Sequence, residues 1–125
     1  MLHVAVEYSR DTAILHCVGR IVAGDEADVL KAAVMRQASR RVVLLDLARV
    51  ETMDAAGLGL LIFLQSMGHA VGFKLRLTNP TRHVRELLKL TGLDSVFETV
   101  LYGAEPQFSQ SPDNLNTPAS SLVTQ

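Results

Sequence analysis

The stretch MDAAGLGLL, residues 53–61, combines an aspartate, two alanines, a Gly-x-Gly and the beginning of an apolar run. Gly-x-Gly before a helix often marks a phosphate site, because the first amide groups of a helix have no partner within it. Here no Lys, Ser or Thr lies directly beside the glycines. The pattern predicts a helix start. It leaves open whether Asp54 and the glycines only cap and pack that helix, or also form a docking surface.

The segments around this stretch are predicted to form a strand and a long helix. RVVLLDL (41–47) is a continuous apolar run, which is typical of a central strand covered on both faces. We expect residues 48–54 to form a loop, and AAGLGLLIFLQSMGHAV (55–71) to form a helix. FKLRLT (73–78) alternates between apolar and polar residues, so it is predicted to be a strand.

Towards the N-terminus the pattern predicts two strands and a helix. HVAVEY (3–8) and TAILHCVG (12–19) are short and rich in β-branched residues, which indicates a hairpin or two neighbouring strands. Residues 24–39 are predicted to form a helix. Its first turn is acidic, which suits the positive end of the helix dipole; the acidic residues are Asp25, Glu26 and Asp28.

Towards the C-terminus we expect a helix, a short strand and a tail. Asn79-Pro80 is predicted to start the helix, with Asn as the cap and Pro in the first helical position, and Gly92 to stop it. LDSVFETVLY (93–102) is predicted to add a last strand. Residues 104–125 are rich in Ser, Pro, Gln, Asn and Thr, so we expect a flexible tail after a domain of residues 1–103.

These segments predict an α/β fold with the order β-β-α-β-α-β-α-β. Consecutive strand–helix–strand units form parallel pairs with right-handed crossovers, so we expect a mixed sheet with helices packed on it.

The amino-acid composition argues against several classes of function. The net charge is -1 in 125 residues, which argues against a nucleic-acid binder. A single cysteine cannot form an internal disulfide, and the longest apolar run is about half the roughly 20 residues of a membrane span. No signal peptide is recognised at the N-terminus. We therefore expect a cytoplasmic protein without membrane insertion.

The stretch VVLLDLARVETMDAAGLGLL resembles the STAS domain, the fold of the bacterial anti-sigma-factor antagonists. In that family a buried strand ends in Asp-Leu, and Asp-Ser-Ser-Gly-Leu-Gly or a near variant follows at a helix start. Asp46-Leu47 matches the first part, and Asp54, Gly57, Leu58 and Gly59 match the second. VGRI (18–21) and RELLKLTGL (85–93) extend the resemblance over roughly residues 3–102.

One departure from the family pattern concerns phosphorylation. In regulated members, a partner kinase phosphorylates a serine between the aspartate and the first glycine. Both positions are alanine here, Ala55 and Ala56, so the resemblance implies a variant without the phosphate acceptor. Thr52 carries the nearest remaining hydroxyl and is the alternative phosphate acceptor. Many members also finish with another helix that packs on the sheet, but AEPQFSQSPD (104–113) is a poor helix candidate, so we do not expect that helix here.

The resemblance implies a partner-binding surface at the helix start. It comprises Asp54, Ala55, Ala56, Gly57, Leu58 and Gly59, with support from Asp46, Thr52, Leu60, Phe63, Leu64 and Met67. By its pattern the helix has one apolar side with Leu58, Leu61 and Ile62, and another with Leu60, Phe63, Leu64 and Met67. One side is expected to face the sheet. The other is either buried in the domain or a strip that contacts another protein.

Other groups give weaker indications. The four histidines are scattered, with no acidic or Cys ligand at metal spacing, so no metal and no cofactor are expected. Cys17 lies in an apolar strand and is predicted to be a buried, inert thiol. His16 adjoins it, but neighbours on a strand point to opposite faces, so the pair should not meet. No catalytic residue is identified.

The resemblance implies a non-enzymatic protein that binds an anti-sigma factor, here an ATP-binding serine kinase, and so regulates sigma-factor-dependent transcription. The alternative is a STAS scaffold or transporter-associated module that assembles with other STAS proteins or with itself. A third class, an anion binder at the helix N-terminus, is disfavoured because no basic residue lies near Gly57.

Overall fold

Within residues 1–100, a five-stranded sheet carries three α-helices on one face. The computed structural model describes residues 1–100. The strands are β1 (Leu2–Ser9), β2 (Thr12–Ile21), β3 (Val42–Met53), β4 (Lys74–Thr78) and β5 (Glu98–Val100), and the helices are α1 (Asp25–Met35), α2 (Ala55–Val71) and α3 (Arg82–Leu90). The predicted order of elements is confirmed.

The strands lie in the order in which they occur in the chain, β1-β2-β3-β4-β5. β1 and β2 form an antiparallel hairpin, and the remaining neighbours are parallel. Three successive right-handed crossovers in one direction place α1, α2 and α3 on the same face of the sheet. Buried side chains from all three helices accordingly share one hydrophobic core with the sheet, including Leu30, Leu61 and Val84.

The loop predicted for residues 48–54 was wrong. β3 continues to Met53, and Val50 and Met53 are buried in the core. Two register shifts in the pairing with β2, between His16 and Val18 and between Gly19 and Arg20, accommodate extra residues in β3. Such bulges interrupt the two-residue alternation of buried and exposed side chains that is typical of a strand. The polar residues in this part of β3 are then indistinguishable from a loop in the sequence.

Other predicted boundaries also differ. α1 ends at Met35, not at residue 39, and the segment 93–102 begins with a 3-10 helix, Leu93–Ser95, before β5. α3 is capped by Thr81, whose hydroxyl accepts from the Val84 amide at 3.3 Å. Asn79 is not the cap, since it has a left-handed φ of 53° and lies before the helix. The helix predicted for residues 55–71 and the acidic first turn of α1 are confirmed.

The predicted tail, residues 104–125, and the end of the predicted last strand lie outside the described residues. Within residues 1–100, no helix is long and apolar enough to cross a membrane.

Candidate functional site

The start of α2 is held by one carboxylate. Asp54 follows the last residue of β3 in an extended conformation and caps the helix, its Oδ1 accepting from the Gly57 amide at 2.8 Å. The cap satisfies one of the amides that have no partner inside the helix. The backbone N–H groups of Gly57 and then Ala23 hold the pKa of Asp54 below its ordinary value.

The same carboxylate reaches a second loop. Oδ2 of Asp54 accepts from the amide of Ala23 at 3.2 Å, in the connection between β2 and α1. A single side chain therefore ties two loops together at the carboxyl ends of β2 and β3. Asp54 is exposed, so this junction lies at the surface.

The two glycines have different roles. A Cβ on Gly57 would overlap the carbonyl oxygen of Ile21 and lie 2.9 Å from the Met53 side chain, so this glycine allows α2 to pack against β2. A Cβ on Gly59 would meet nothing within 4 Å. The sequence pattern did not separate them: Gly57 is required by packing, whereas Gly59 leaves the helix backbone open to solvent.

Residues 54–59 form what we call the α2 entry. Ala55, Ala56 and Gly59 are exposed there, whereas Gly57 and Leu58 are buried. Small exposed side chains at this helix end let another backbone or a flat surface come close. The structure thus presents Ala55, Ala56 and Gly59 at one surface, while Asp54 and Gly57 hold that surface against the sheet.

The predicted division of α2 into two apolar sides was wrong in part. Leu64 is completely buried in the core, while Ile62 and Phe63 remain 39% and 43% exposed. Leu60 and Met67 are half-buried. The Lys31 ammonium of α1 lies 5.0 Å from the centre of the Phe63 ring, a cation–π contact between the two helices. The exposed strip beyond the α2 entry is therefore Ile62 and Phe63, flanked by Lys31.

Asp46 lies in a different place from the α2 entry. Its neighbours Leu45 and Leu47 point into the helix-covered core, so Asp46 points to the opposite face of the sheet. There its Oδ2 lies 2.7 Å from Nδ1 of His16, and Nε2 of His16 lies 2.7 Å from Oε1 of Glu7. The sequence indicated no role for His16, because this contact depends on the register that places β2 beside β3.

The imidazole of His16 bridges two carboxylates on opposite sides of its ring. Its partial burial by itself lowers the pKa, but the bonds to Glu7 and Asp46 outweigh that effect and raise the pKa of His16 above its ordinary value. The side chains of Glu7, His16 and Asp46 therefore link β1, β2 and β3. Within residues 1–100, no set of three or more His, Cys, Asp or Glu side chains has an arrangement that could hold a metal ion.

Cys17 and Thr52 occupy contrasting environments. The Cys17 thiol is buried and donates to the Leu15 carbonyl at 3.6 Å, and burial raises the pKa of the thiol to about 12. The predicted burial of Cys17 is confirmed. Thr52 is exposed near the end of β3, opposite Arg20 of β2.

The comparison with protein-family models identifies one family. The family model of the STAS domain matches residues 3–106. No curated protein gives a significant match. Among solved structures, the chain is similar to an anti-sigma factor antagonist from Mycobacterium paratuberculosis, with 23% identity, TM-score 0.68 and coverage of 83% of this chain and 87% of that one.

Two further structures have the same fold. The unphosphorylated form of the anti-sigma factor antagonist SpoIIAA, a Bacillus cell fate determinant, is 20% identical with a TM-score of 0.65, covering 78% of this chain and 88% of that one. A sulfate transporter family protein from Wolinella succinogenes is 24% identical with a TM-score of 0.60, covering 69% and 70%. At these identities the likeness supports the fold alone.

Proposed function

The chain belongs to the STAS domain family, and we propose that it binds an anti-sigma factor as an antagonist would, without catalysing a reaction itself. By resemblance, the partner is an ATP-binding serine kinase of the bacterial regulatory type, and its capture releases a sigma factor in the cytoplasm. The observation that carries the proposal is the α2 entry, where an anchored loop presents two alanines and a glycine beside the capping Asp54.

The geometry of the α2 entry supports close docking. Ala55, Ala56 and Gly59 leave the first turns of the helix unobstructed, and Asp54 keeps those turns in place. Ile62 and Phe63 continue the surface along the helix with exposed apolar area. Small residues that allow approach, next to apolar residues that gain from burial, form a surface suited to a protein partner.

The chemistry of the α2 entry also supports an unmodified state. Neither Ala55 nor Ala56 has an oxygen that could accept a phosphate. A kinase partner would therefore bind this protein without switching it off at this loop. Incubation with such a kinase and ATP should give no phosphate on residues 50–60, as measured by mass spectrometry. Stoichiometric labelling there, Thr52 included, would contradict this part of the proposal.

A restored hydroxyl tests the alignment of this loop with the family. Ala56→Ser adds one hydroxyl in the first turn of α2, where serine is tolerated. The kinase should label this variant at residue 56. If the kinase binds Ala56→Ser and leaves it unlabelled, the proposed match of positions is wrong.

The decisive experiment adds a permanent charge. Ala56→Glu places a carboxylate near the N-terminus of α2, which the helix dipole favours, so folding should survive. A partner that covers this carboxylate removes its water without supplying a counter-charge. Such burial typically costs several kcal/mol, and binding should weaken by about a hundredfold or more.

The matched control is Ala70→Glu, because Ala70 is also exposed and lies in the same helix. Fourteen residues at 1.5 Å each put it about 21 Å from Ala56. Titration against the anti-sigma kinase should show wild-type affinity for this control, with circular dichroism establishing that both variants are folded. A folded Ala56→Glu protein that binds like wild type would show that the α2 entry is only a helix cap.

A second candidate is a STAS module that assembles with a transporter or with other STAS proteins, without sigma regulation. The similarity to the sulfate transporter family protein from Wolinella succinogenes favours it. Neighbouring genes separate the two candidates, since a kinase or sigma-factor gene supports the first and transport genes support the second.

A further inference from the structure

β1 is an edge strand with little of the usual protection against pairing, since Glu7 is the one acidic or basic side chain among its residues apart from His3. It pairs with β2 from Leu2 to Ser9 without a register shift, and within residues 1–100 it has no second strand beside it. Its sequence, LHVAVEYS, contains no Pro, Gly or Lys. Natural edge strands generally carry such residues or a bulge, because a regular edge presents backbone groups to any other strand.

Exposed apolar side chains surround this edge. Met1, Val6 and Tyr8 are 78%, 40% and 53% exposed, and Val29 of α1 is 42% exposed. Val29 lies on the side of α1 towards β1, because Glu26, one turn earlier, bonds the amino group of Met1 at 3.0 Å. Apolar groups that gather beside an open strand edge indicate a protein contact there.

We propose that this edge binds a second copy of the chain, with the two β1 strands antiparallel and the two sheets continuous. A two-fold axis makes such an interface self-complementary. Residues opposite each other in a sheet point to the same face, and side chains alternate between the two faces along a strand. Each residue can therefore lie opposite only residues an even number of positions away, so the symmetry requires one residue of β1 to lie opposite its own copy in the second chain. Half of the conceivable registers are thereby excluded.

The charges select one of the remaining registers. With Ala5 opposite itself, His3 lies opposite Glu7 of the second copy, and Val4 lies opposite Val6. Shifting the centre to Val6 or Val4 would place Glu7 or His3 opposite Ala5 instead. An imidazole and a carboxylate opposite each other hydrogen-bond and attract, whereas an alanine offers neither interaction. The Ala5-centred register therefore forms two His3–Glu7 pairs per dimer, in which each Glu7 carboxylate also keeps its bond to Nε2 of His16 in its own chain.

The expected dimer is weak. One strand edge with a few flanking side chains is smaller than the roughly 1,600 Å² of a standard interface, so we expect micromolar dissociation. Sedimentation velocity from about 1 to 200 µM should show a monomer that converts to a dimer. A single monomeric species over that whole range overturns the proposal.

Two lysine variants locate the interface. Val6→Lys puts two ammonium groups into the proposed contact and should raise the dimer dissociation constant by about tenfold or more, since each 1.4 kcal/mol is a factor of ten. Ile62→Lys is the control, because Ile62 is equally exposed, at 39% against 40% for Val6, but lies on α2. If the two variants weaken the dimer equally, or if Val6→Lys leaves it intact, the edge is not the interface.

A second pair of variants tests the register. His3→Glu places carboxylates opposite each other at both His3–Glu7 pairs and should weaken the dimer. His83→Glu makes the same change on the exposed surface of α3 and should not. Equal effects of these two substitutions would refute the Ala5-centred register.

Different variants test the dimer and the proposed sigma-related function, so one proposal can be refuted without the other. Val6→Lys should dissociate the dimer and keep affinity for the anti-sigma kinase, whereas Ala56→Glu should do the reverse. A kinase that binds no form of the protein contradicts the proposed function and leaves the dimer measurement unaffected.

Discussion

The two glycines of the α2 entry should respond oppositely to the same substitution. Gly57→Ala adds a Cβ that overlaps the carbonyl oxygen of Ile21, a backbone atom that cannot rotate away. Gly59→Ala adds a Cβ that meets nothing within 4 Å. Neither glycine has a positive φ, so alanine fits the backbone conformation at both positions. The difference between the variants then measures packing alone.

The magnitude follows from two opposing effects. Alanine in place of glycine inside a helix stabilises by about 0.5–1 kcal/mol. Gly59→Ala should gain about that amount. At Gly57 the helix must move away from β2, and overpacking of this kind costs about 1–3 kcal/mol or more. Because the overlap is with backbone, we expect the upper part of that range and a net loss.

Because the gain in helix propensity is the same at both positions, the two variants should differ by roughly 2–3 kcal/mol in the free energy of unfolding. In a domain of this size that difference corresponds to roughly 10–25 °C in Tm. Thermal and urea unfolding followed by circular dichroism measure it. A Gly57→Ala protein as stable as Gly59→Ala would refute the view that Gly57 exists for contact with β2.

Three further predictions concern other parts of the chain. His16 has a raised pKa in the folded protein, so the stability that it adds is complete below pH about 6.5 and is lost as the pH rises through that raised value. Urea unfolding between pH 5.5 and 8.5 should accordingly show wild type losing stability relative to His16→Gln, and parallel pH profiles would contradict this. Cys17 should resist a thiol reagent at pH 8 in the native state and react once guanidinium unfolds the chain; rapid native labelling would contradict its burial. Deleting Glu105–Gln125 should leave Tm nearly unchanged, and a drop of more than about 10 °C would show that this segment stabilises the domain.

Local chemistry was sufficient to predict α2 from the sequence. Asp54 is a strong capping residue, a long apolar run follows it, and Gly72 ends the helix in the left-handed conformation. Each of these features acts within a few residues, so the pattern specifies both ends. The alternating and apolar runs likewise predicted the hairpin and the parallel strands.

The features that sequence reasoning missed depend on partners far along the chain. β3 beyond Leu47 reads as a loop because its bulges arise from pairing with β2, and His16 gains its role only when β3 brings Asp46 beside it. The capping of α3 by Thr81 also involves a distant group, since its hydroxyl donates to the Val50 carbonyl at 3.2 Å. Such long-range contacts leave no periodicity in one sequence.

The carboxylate of Asp54, which bonds the amides of both Gly57 and Ala23, has a consequence for binding kinetics. A loop that is ordered before the partner arrives avoids the entropy cost of ordering its backbone on binding, which is about 1–2 kcal/mol for each residue. Rigid surfaces of this kind typically associate at about 10⁵–10⁷ M⁻¹s⁻¹ whatever their affinity. Changes in the exposed residues around Asp54 should therefore alter how long a partner stays bound far more than how quickly it arrives.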